Sequence, residues 1–261
     1  MTSAKSRTPS STPPGWEPPP SFEEKLRDIF VPQRLHLLHS LRREMRKGER
    51  EIRLVPFLSD PDRVSLDIGA NKGVWAEAMR HHAAAVHAFE PNPKMFRLLE
   101  RGAAPTVTPH AIALSDASGT AELRIPRGRR GYSNQGASLS REKIGDDEYG
   151  AVSIETRRLD DMDLGDIGFM KVDVEGHELA VLKGAQETLR RCRPNLIIEM
   201  EERHSKVPIA EMIAEVCAYG YDAFALDGLL LRRVETLDLV RRHSQLPPKG
   251  QYIFNWIFLP T

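Results

Sequence analysis

Cysteine is almost absent from this chain. The two that occur, Cys192 and Cys217, lie far apart and match no metal-ligand spacing, which excludes a cysteine-built metal site and makes a reducing cytoplasm the simplest compartment. An excess of one charge sign is missing too. The 37 basic residues balance 37 acidic ones and the pI is near 7.1, so there is no global basic surface for a nucleic-acid partner. No apolar run approaches the roughly 20 residues that span a bilayer, and the first residues carry no apolar segment of the secretory type. What is left, 261 residues at 40% hydrophobic content, suits one large α/β domain with extensions.

Two glycines are missing where a dinucleotide site needs them. Residues 64–73 read VSLDIGANKG: a buried strand over 64–68 with Asp67 near its carboxyl end, then a turn bracketed by Gly69 and Gly73 that leads into a helix. Such a turn lets backbone approach a nucleotide-like ligand, and the helix start offers unpaired N–H groups. Counting a G-x-G-x-x-G fingerprint from Gly69 puts Asn71 and Val74 at the second and third glycine positions, so a pyrophosphate is a poor fit and a smaller, less anionic ligand a better one. The next strand, residues 86–89, ends in Glu90, placed to accept hydrogen bonds from ribose hydroxyls.

Taken in order, residues 1–20 hold six prolines among serine and threonine and read as a disordered tail, with Trp16 able to dock at a place the sequence does not name. Residues 21–50 read as an N-terminal helical extension. Ser21 and Glu24 have capping-box spacing, and Leu35, Leu38, Leu41 and Met45 form a stripe opposite Arg42, Arg43, Arg46 and Lys47, the basic face being solvated. Residues 106–113 read as a third strand, followed by Ser115 and Asp116. Asp116 is either an Asx turn before Gly119 or an acceptor for an exocyclic amine. Residues 120–125 and 152–156 pair as an inserted hairpin. Between them, residues 126–140 form a polar excursion or lid. Its Arg127, Arg129 and Arg130 can steer an anion, and its Tyr132, Asn134 and Gln135 can bond a polyol. Strands at 167–172 and 195–199, a hairpin around Asp227-Gly228 and a last apolar strand within 251–259 complete a doubly wound, mostly parallel sheet with antiparallel final strands.

The chemistry concentrates after residue 172. Asp173, Glu175, His177 and Glu178 crowd one strand-to-helix turn on the same sheet edge as Gly69 and are expected to perturb one another's pKa values. Helix capping accounts for Glu175 and Glu178 but less well for Asp173, which belongs to the strand end.

The segments DIGANKG, AFEPNP, ALSD and KVDVEGHELAVLKGA, occurring in this order, resemble the FkbM family of methyltransferases that use S-adenosylmethionine (SAM); the resemblance covers roughly residues 51–260. It implies an α/β class I methyltransferase fold, Rossmann-like and doubly wound, with a mostly parallel seven-stranded sheet, an inserted β-hairpin and loop, and N-terminal helices outside the domain of residues 51–261. It implies SAM as cofactor, with Asp67, Gly69, Ala70, Asn71 and Gly73 around the methionine end, Glu90 at the ribose, and Ser115 and Asp116 at the adenine. Asp173, Glu175 and His177 match the catalytic turn, and residues 132–139 the substrate-facing loop. The expected reaction is O-methylation of a hydroxyl on a sugar, glycan or natural product. Asp173 orients or deprotonates that hydroxyl, His177 is the second choice, and Glu175 hydrogen-bonds the acceptor. Carboxylates of Asp173 and Glu175 suit Mg2+, but no complete ligand set is legible, so no metal is expected. A nicotinamide-dependent oxidoreductase and a non-catalytic SAM binder are the alternatives. The partner expected is a small-molecule or carbohydrate acceptor; oligomeric state, a homodimer included, is left open.

Overall fold

The computed structural model describes residues 15–21, 24, 26, 29–128, 131–140, 143, 148–248 and 250–261. The strands are β1 (Val64–Ile68), β2 (Ala85–Phe89), β3 (Val107–His110), β4 (Ala113–Leu114), β5 (Gly119–Gly128), β6 (Gly131–Tyr132), β7 (Tyr149–Arg157), β8 (Ile167–Val172), β9 (Asn195–Glu199), β10 (Tyr221–Asp227), β11 (Leu230–Arg233) and β12 (Asn255–Pro260). Eight of them form the main sheet in the order β11-β10-β12-β9-β8-β1-β2-β3. The five from β9 to β3 are parallel to one another, and β12 runs antiparallel between β9 and β10.

The burial pattern of β8 explains why it is central. All six of its residues are buried, with no polar alternation, as a strand covered on both faces requires. Successive side chains feed opposite layers. Met170 and Val172 join Leu66, Ile68 and Phe89 under the helices Glu178–Lys183, Gln186–Cys192 and Ile209–Cys217. Phe169 joins Val86, Ala88 and Ile197 against Trp75, Met79 and Leu99 on the other side.

Register then sets the site. Ile68 pairs with Phe89 and with Val172, and Val172 pairs with Ile198. The next residue on each strand, Gly69, Glu90, Asp173 and Glu199, therefore stands in one row along the carboxyl edge.

The class I fold is present, with one strand more than the seven expected. The extra strand is β11, the hairpin partner of β10 across the Asp227-Gly228 turn. All four of its residues are exposed, so it adds to the edge without burying a core face. The expected third strand over 106–113 is two strands. β3 stays in the main sheet, while β4 crosses to a second sheet of order β4-β7-β5-β6. There β5 and β7 pair antiparallel, Ala121 opposite Ile154, and enclose a small core of Ala113, Leu123, Ile125 and Ile154. The excursion after β5 is held back on that sheet by an isolated bridge between Arg124 and Ser138.

The helix Gln33–Lys47 turns a different face inward from the one its leucines suggested. Leu37 and Ser40 are buried, whereas Leu35 is 58% and Met45 38% exposed. A polar contact sets the rotation: Arg34 reaches Glu77 at 2.6 and 2.8 Å and the Gly102 carbonyl at 2.9 Å. The Ser21–Glu24 capping box is formed, with both reciprocal hydrogen bonds. Residues 1–14 of the expected disordered tail lie outside the described residues. The rest is placed: Trp16 meets Tyr132 edge-on at 4.8 Å, and Glu17 pairs with Arg97.

Candidate active site

A cavity of about 350 Å3 opens at the carboxyl edge of β1, β2, β8 and β9. Gly69, Ala70, Asn71 and Lys72 form one wall, Glu90 and Pro91 the next, and Asp173, Val174, Glu175 and His177 a third. Ile112, Ala113 and Leu114 line one end, and the loop residues Asn134, Ala137, Ser138 and Leu139 cover the top. Ser40, Arg43, Glu44 and Glu49, from outside the motif-bearing stretch, complete the rim.

Gly69 makes the close approach possible. Its φ of +85° is one that glycine adopts freely, and a Cβ there would lie 1.8 Å from the Asp173 carbonyl oxygen. The two turns are locked together by the Asp173 N–H donating to the Ile68 carbonyl at 2.9 Å. Asn71, also left-handed at φ 51°, donates its backbone N–H to Glu90 Oε2 at 2.7 Å. Glu90 Oε1 accepts from the Asn92 N–H at 2.8 Å. Burial pushes Glu90 up to about 7, against the pull of those two N–H groups.

Asp67 sits beneath this turn rather than on the cavity wall. It is fully buried, and its Oδ2 accepts from the Ala76 N–H at 2.8 Å, tying β1 to the first turn of the helix Val74–Met79. Burial raises it to about 7 as well. Ser115 and Asp116 stand behind the cavity, not in its lining. The Ser115 hydroxyl is 2.8 Å from His177 Nε2, and Asp116 accepts from Lys183 Nζ at 2.9 Å, which lowers its pKa. His177 thus reaches toward the Ser115 end, and burial lowers its pKa while Asp116 opposes.

The carboxylate row centres on a cation. Lys171, the penultimate residue of β8, is 1% exposed, with its Nζ 4.0 Å from Asp173 Oδ2, 3.9 Å from Glu199 Oε2 and 3.0 Å from Asn255 Oδ1. Burial works to lower its pKa, but Asp173, Glu49, Glu199 and Asp67 outweigh that and hold it above the ordinary lysine value. Burial raises Asp173 and Glu199 in turn, with Lys171 opposing. Glu175 bonds Lys143 and lies 3.3 Å from His204 Nδ1, so its charge is already answered. Burial is the main cause raising it and, for His204, the main cause lowering it to about 4.

Several expectations about the loop change. Arg127 pairs with Glu148 rather than facing the cavity, and Tyr132 faces Trp16. Asn134 does line the cavity and accepts from Asn92 Nδ2 at 3.1 Å. Arg129, Arg130 and the Gln135 side chain lie outside what is described. Glu49, Lys171 and Glu199 were not expected as site residues. A lysine inside an otherwise apolar strand was the readable signal for Lys171, and a strand-end carboxylate for Glu199; nothing in the sequence pointed to Glu49. Among the described residues no group of three or more His, Cys, Asp or Glu is arranged to hold a metal ion, and no helix is long and apolar enough to cross a membrane.

The profile of the methyltransferase FkbM domain matches residues 67–223. A protein named hexuronic acid methyltransferase AglP, from Haloferax volcanii, is 31% identical over 183 residues, covering 66% of this chain and 70% of its own length. One named 2-O-methyltransferase NoeI, from Sinorhizobium fredii, is 30% identical over 185 residues, covering 60% of this chain and 76% of its own length. A crystal structure of a methyltransferase FkbM from Methylobacillus flagellatus aligns with a TM-score of 0.49 at 18% identity, over 76% of this chain and 44% of that one.

Proposed function

The chain belongs to the FkbM family of methyltransferases, and from that premise we propose that its cavity holds SAM against a sugar or sugar-like acceptor and methylates one hydroxyl oxygen. The observation that supports this reading is the row of Gly69, Glu90, Asp173 and Glu199 on one sheet edge, all of them on the wall of one cavity.

The residues present fit the cofactor. Gly69 lets the turn after β1 close against the Asp173 backbone, where a Cβ would not fit, and leaves its own backbone bare on the cavity wall. Glu90 is a buried carboxylate whose oxygens keep lone pairs beyond the two N–H bonds they accept, as ribose hydroxyls require. Residues 69–73 would hold the methionine end, Glu90 the ribose, and Leu114 and His177 the adenine end, with Ser115 and Asp116 behind them.

When bound, SAM supplies a methyl group on a positive sulfur that departs as a neutral thioether with the electron pair of the broken bond. The protein's tasks are alignment and proton removal. Holding the acceptor oxygen in line can lower the barrier by on the order of 7–11 kcal/mol in favourable systems, and a positioned base adds about 10²–10⁴-fold. Asp173 is the residue for the second task. Its side chain is 30% exposed, toward the cavity, and its backbone abuts the cofactor turn. His177 is less suited because its Nε2 is engaged by Ser115. Glu175 and Asn134, both on the cavity wall, would bond the acceptor's other hydroxyls.

Calorimetric titration with S-adenosylhomocysteine tests the cofactor half. Glu90→Gln keeps shape but removes charge, and binding is expected to weaken at least tenfold. No binding by folded wild-type protein would refute the reading.

A further inference from the structure

We propose that Lys171 is a positioning residue that couples Asp173 to Glu199, keeping Asp173 ionised to take the acceptor proton while Glu199 holds the other side of the cation. This rests on the methyl-transfer reading above.

Geometry carries the argument. Lys171 Nζ lies at nearly equal distance from both carboxylates, 4.0 and 3.9 Å, and hydrogen-bonds neither. It donates a hydrogen bond to Asn255 Oδ1 at 3.0 Å, and the same amide donates from Nδ2 to Glu49 Oε2 at 3.1 Å. That second bond fixes which end of Asn255 faces the lysine. The Trp75 ring covers a further side, 5.2 Å from Nζ to its centroid. Lys171 is therefore anchored by β12 and shared, as charge, between the ends of β8 and β9.

Sharing has a chemical consequence. Two partly buried carboxylates beside one cation compete for it. Asp67 from β1, Glu49 and Glu51 before β1, and Glu175 and Glu201 beyond β8 and β9 add negative potential, and Lys143 is taken by Glu175. Without Lys171, the Asp173 carboxyl would hold its proton more tightly, and less of it would be free to accept the acceptor's proton. Without Glu199, the whole of the lysine's charge would serve Asp173.

The two deletions thus act in opposite directions, which a merely structural lysine does not predict. In kcat against pH, Lys171→Met is expected to move the acid limb up by about one unit or more, roughly a tenfold loss at any fixed pH below it. Glu199→Gln is expected to move the limb down, and Lys171→Arg to return it toward the wild-type position. An unmoved limb in Lys171→Met, or an upward shift in Glu199→Gln, overturns the proposal; should Lys171→Met not fold, Glu199→Gln decides alone. A readout without turnover separates this from the parent reading. In ligand-free protein, Lys171→Met raises the folded-state pKa values of the pair, so urea stability should fall more steeply than in wild type as pH rises from 5 to 8. Parallel profiles overturn the coupling even if methyl transfer is demonstrated. Loss of S-adenosylhomocysteine binding in the wild type defeats the parent reading and leaves the stability comparison to judge the coupling by itself.

Discussion

Replacing Gly69 by alanine adds one methyl group where two strand-end turns touch. Two costs follow, and they can be separated. The φ of +85° is left-handed, which costs alanine about 1–2 kcal/mol. The new Cβ would also lie 1.8 Å from the Asp173 carbonyl oxygen and 2.8 Å from its carbon, both backbone atoms. Relief means moving one turn by about 1 Å against the hydrogen bond that ties Asp173 to Ile68, and overpacking of this kind costs about 1–3 kcal/mol. The total for Gly69→Ala is about 2–5 kcal/mol. Gly165 is the control: its φ is +79°, yet nothing lies within 4 Å of its Cβ position, so Gly165→Ala carries only the first cost. Urea unfolding of both variants measures the difference, and titration with S-adenosylhomocysteine should show binding lost only for Gly69→Ala. Equal destabilisation of the two, within about 0.5 kcal/mol, would refute the packing of the two turns.

Burial holds Asp67, Glu90 and Glu178 near 7 in the folded protein, far above the roughly 4 of an unfolded carboxyl. Their contribution to stability is full below the unfolded value and is lost as pH rises through 7. His110 and His204, lowered to about 4 chiefly by burial, act in the opposite sense below about 6.5, but two imidazoles do not offset three carboxyls. Urea midpoints should therefore decline from pH 5 to 7.5, and a rising series would contradict the burial argument. Trp16→Ala removes the ring that rests on Tyr132 and should loosen the loop over the cavity, raising the acceptor KM severalfold with S-adenosylhomocysteine affinity unchanged. Gly150→Ala, whose Cβ would lie 2.0 Å from the Trp16 ring, should reproduce that phenotype; a normal KM in both variants would detach Trp16 from the acceptor side.

The parallel core was readable because its signals are local. An apolar run such as Ile167–Val172, a glycine turn and an acidic strand end each state their place within a few residues. Rows of such strands put their ends on one edge, so the sequence alone assigns Glu90 and Asp173 to one site. What escaped depends on neighbours distant in sequence. Leu35 belongs to a plausible apolar stripe, yet the helix is rotated by Arg34 reaching Glu77. Residues 106–113 look like one strand because nothing local says that β4 leaves for another sheet. Glu49 reaches the cavity rim from before β1, where it accepts from Asn255 at the other end of the chain, and nothing local says so. Asp67 was placed on the right strand but one layer too high, since alternation alone does not say whether a strand-end carboxylate faces the ligand or caps the next helix.

The position of β12 has a consequence in time. Among the described strands it is the last to be synthesised, yet it lies between β9 and β10, which were made before it. Until Asn255 and the residues after it leave the ribosome, β9 presents an open edge and Lys171 lacks its hydrogen-bond acceptor. The main sheet is thus closed by its latest part, a long-range pairing that is slow to form and leaves an exposed edge meanwhile. A product interrupted before Asn255 would expose the β9 edge and lack the amide that holds Lys171 beneath the carboxylate row.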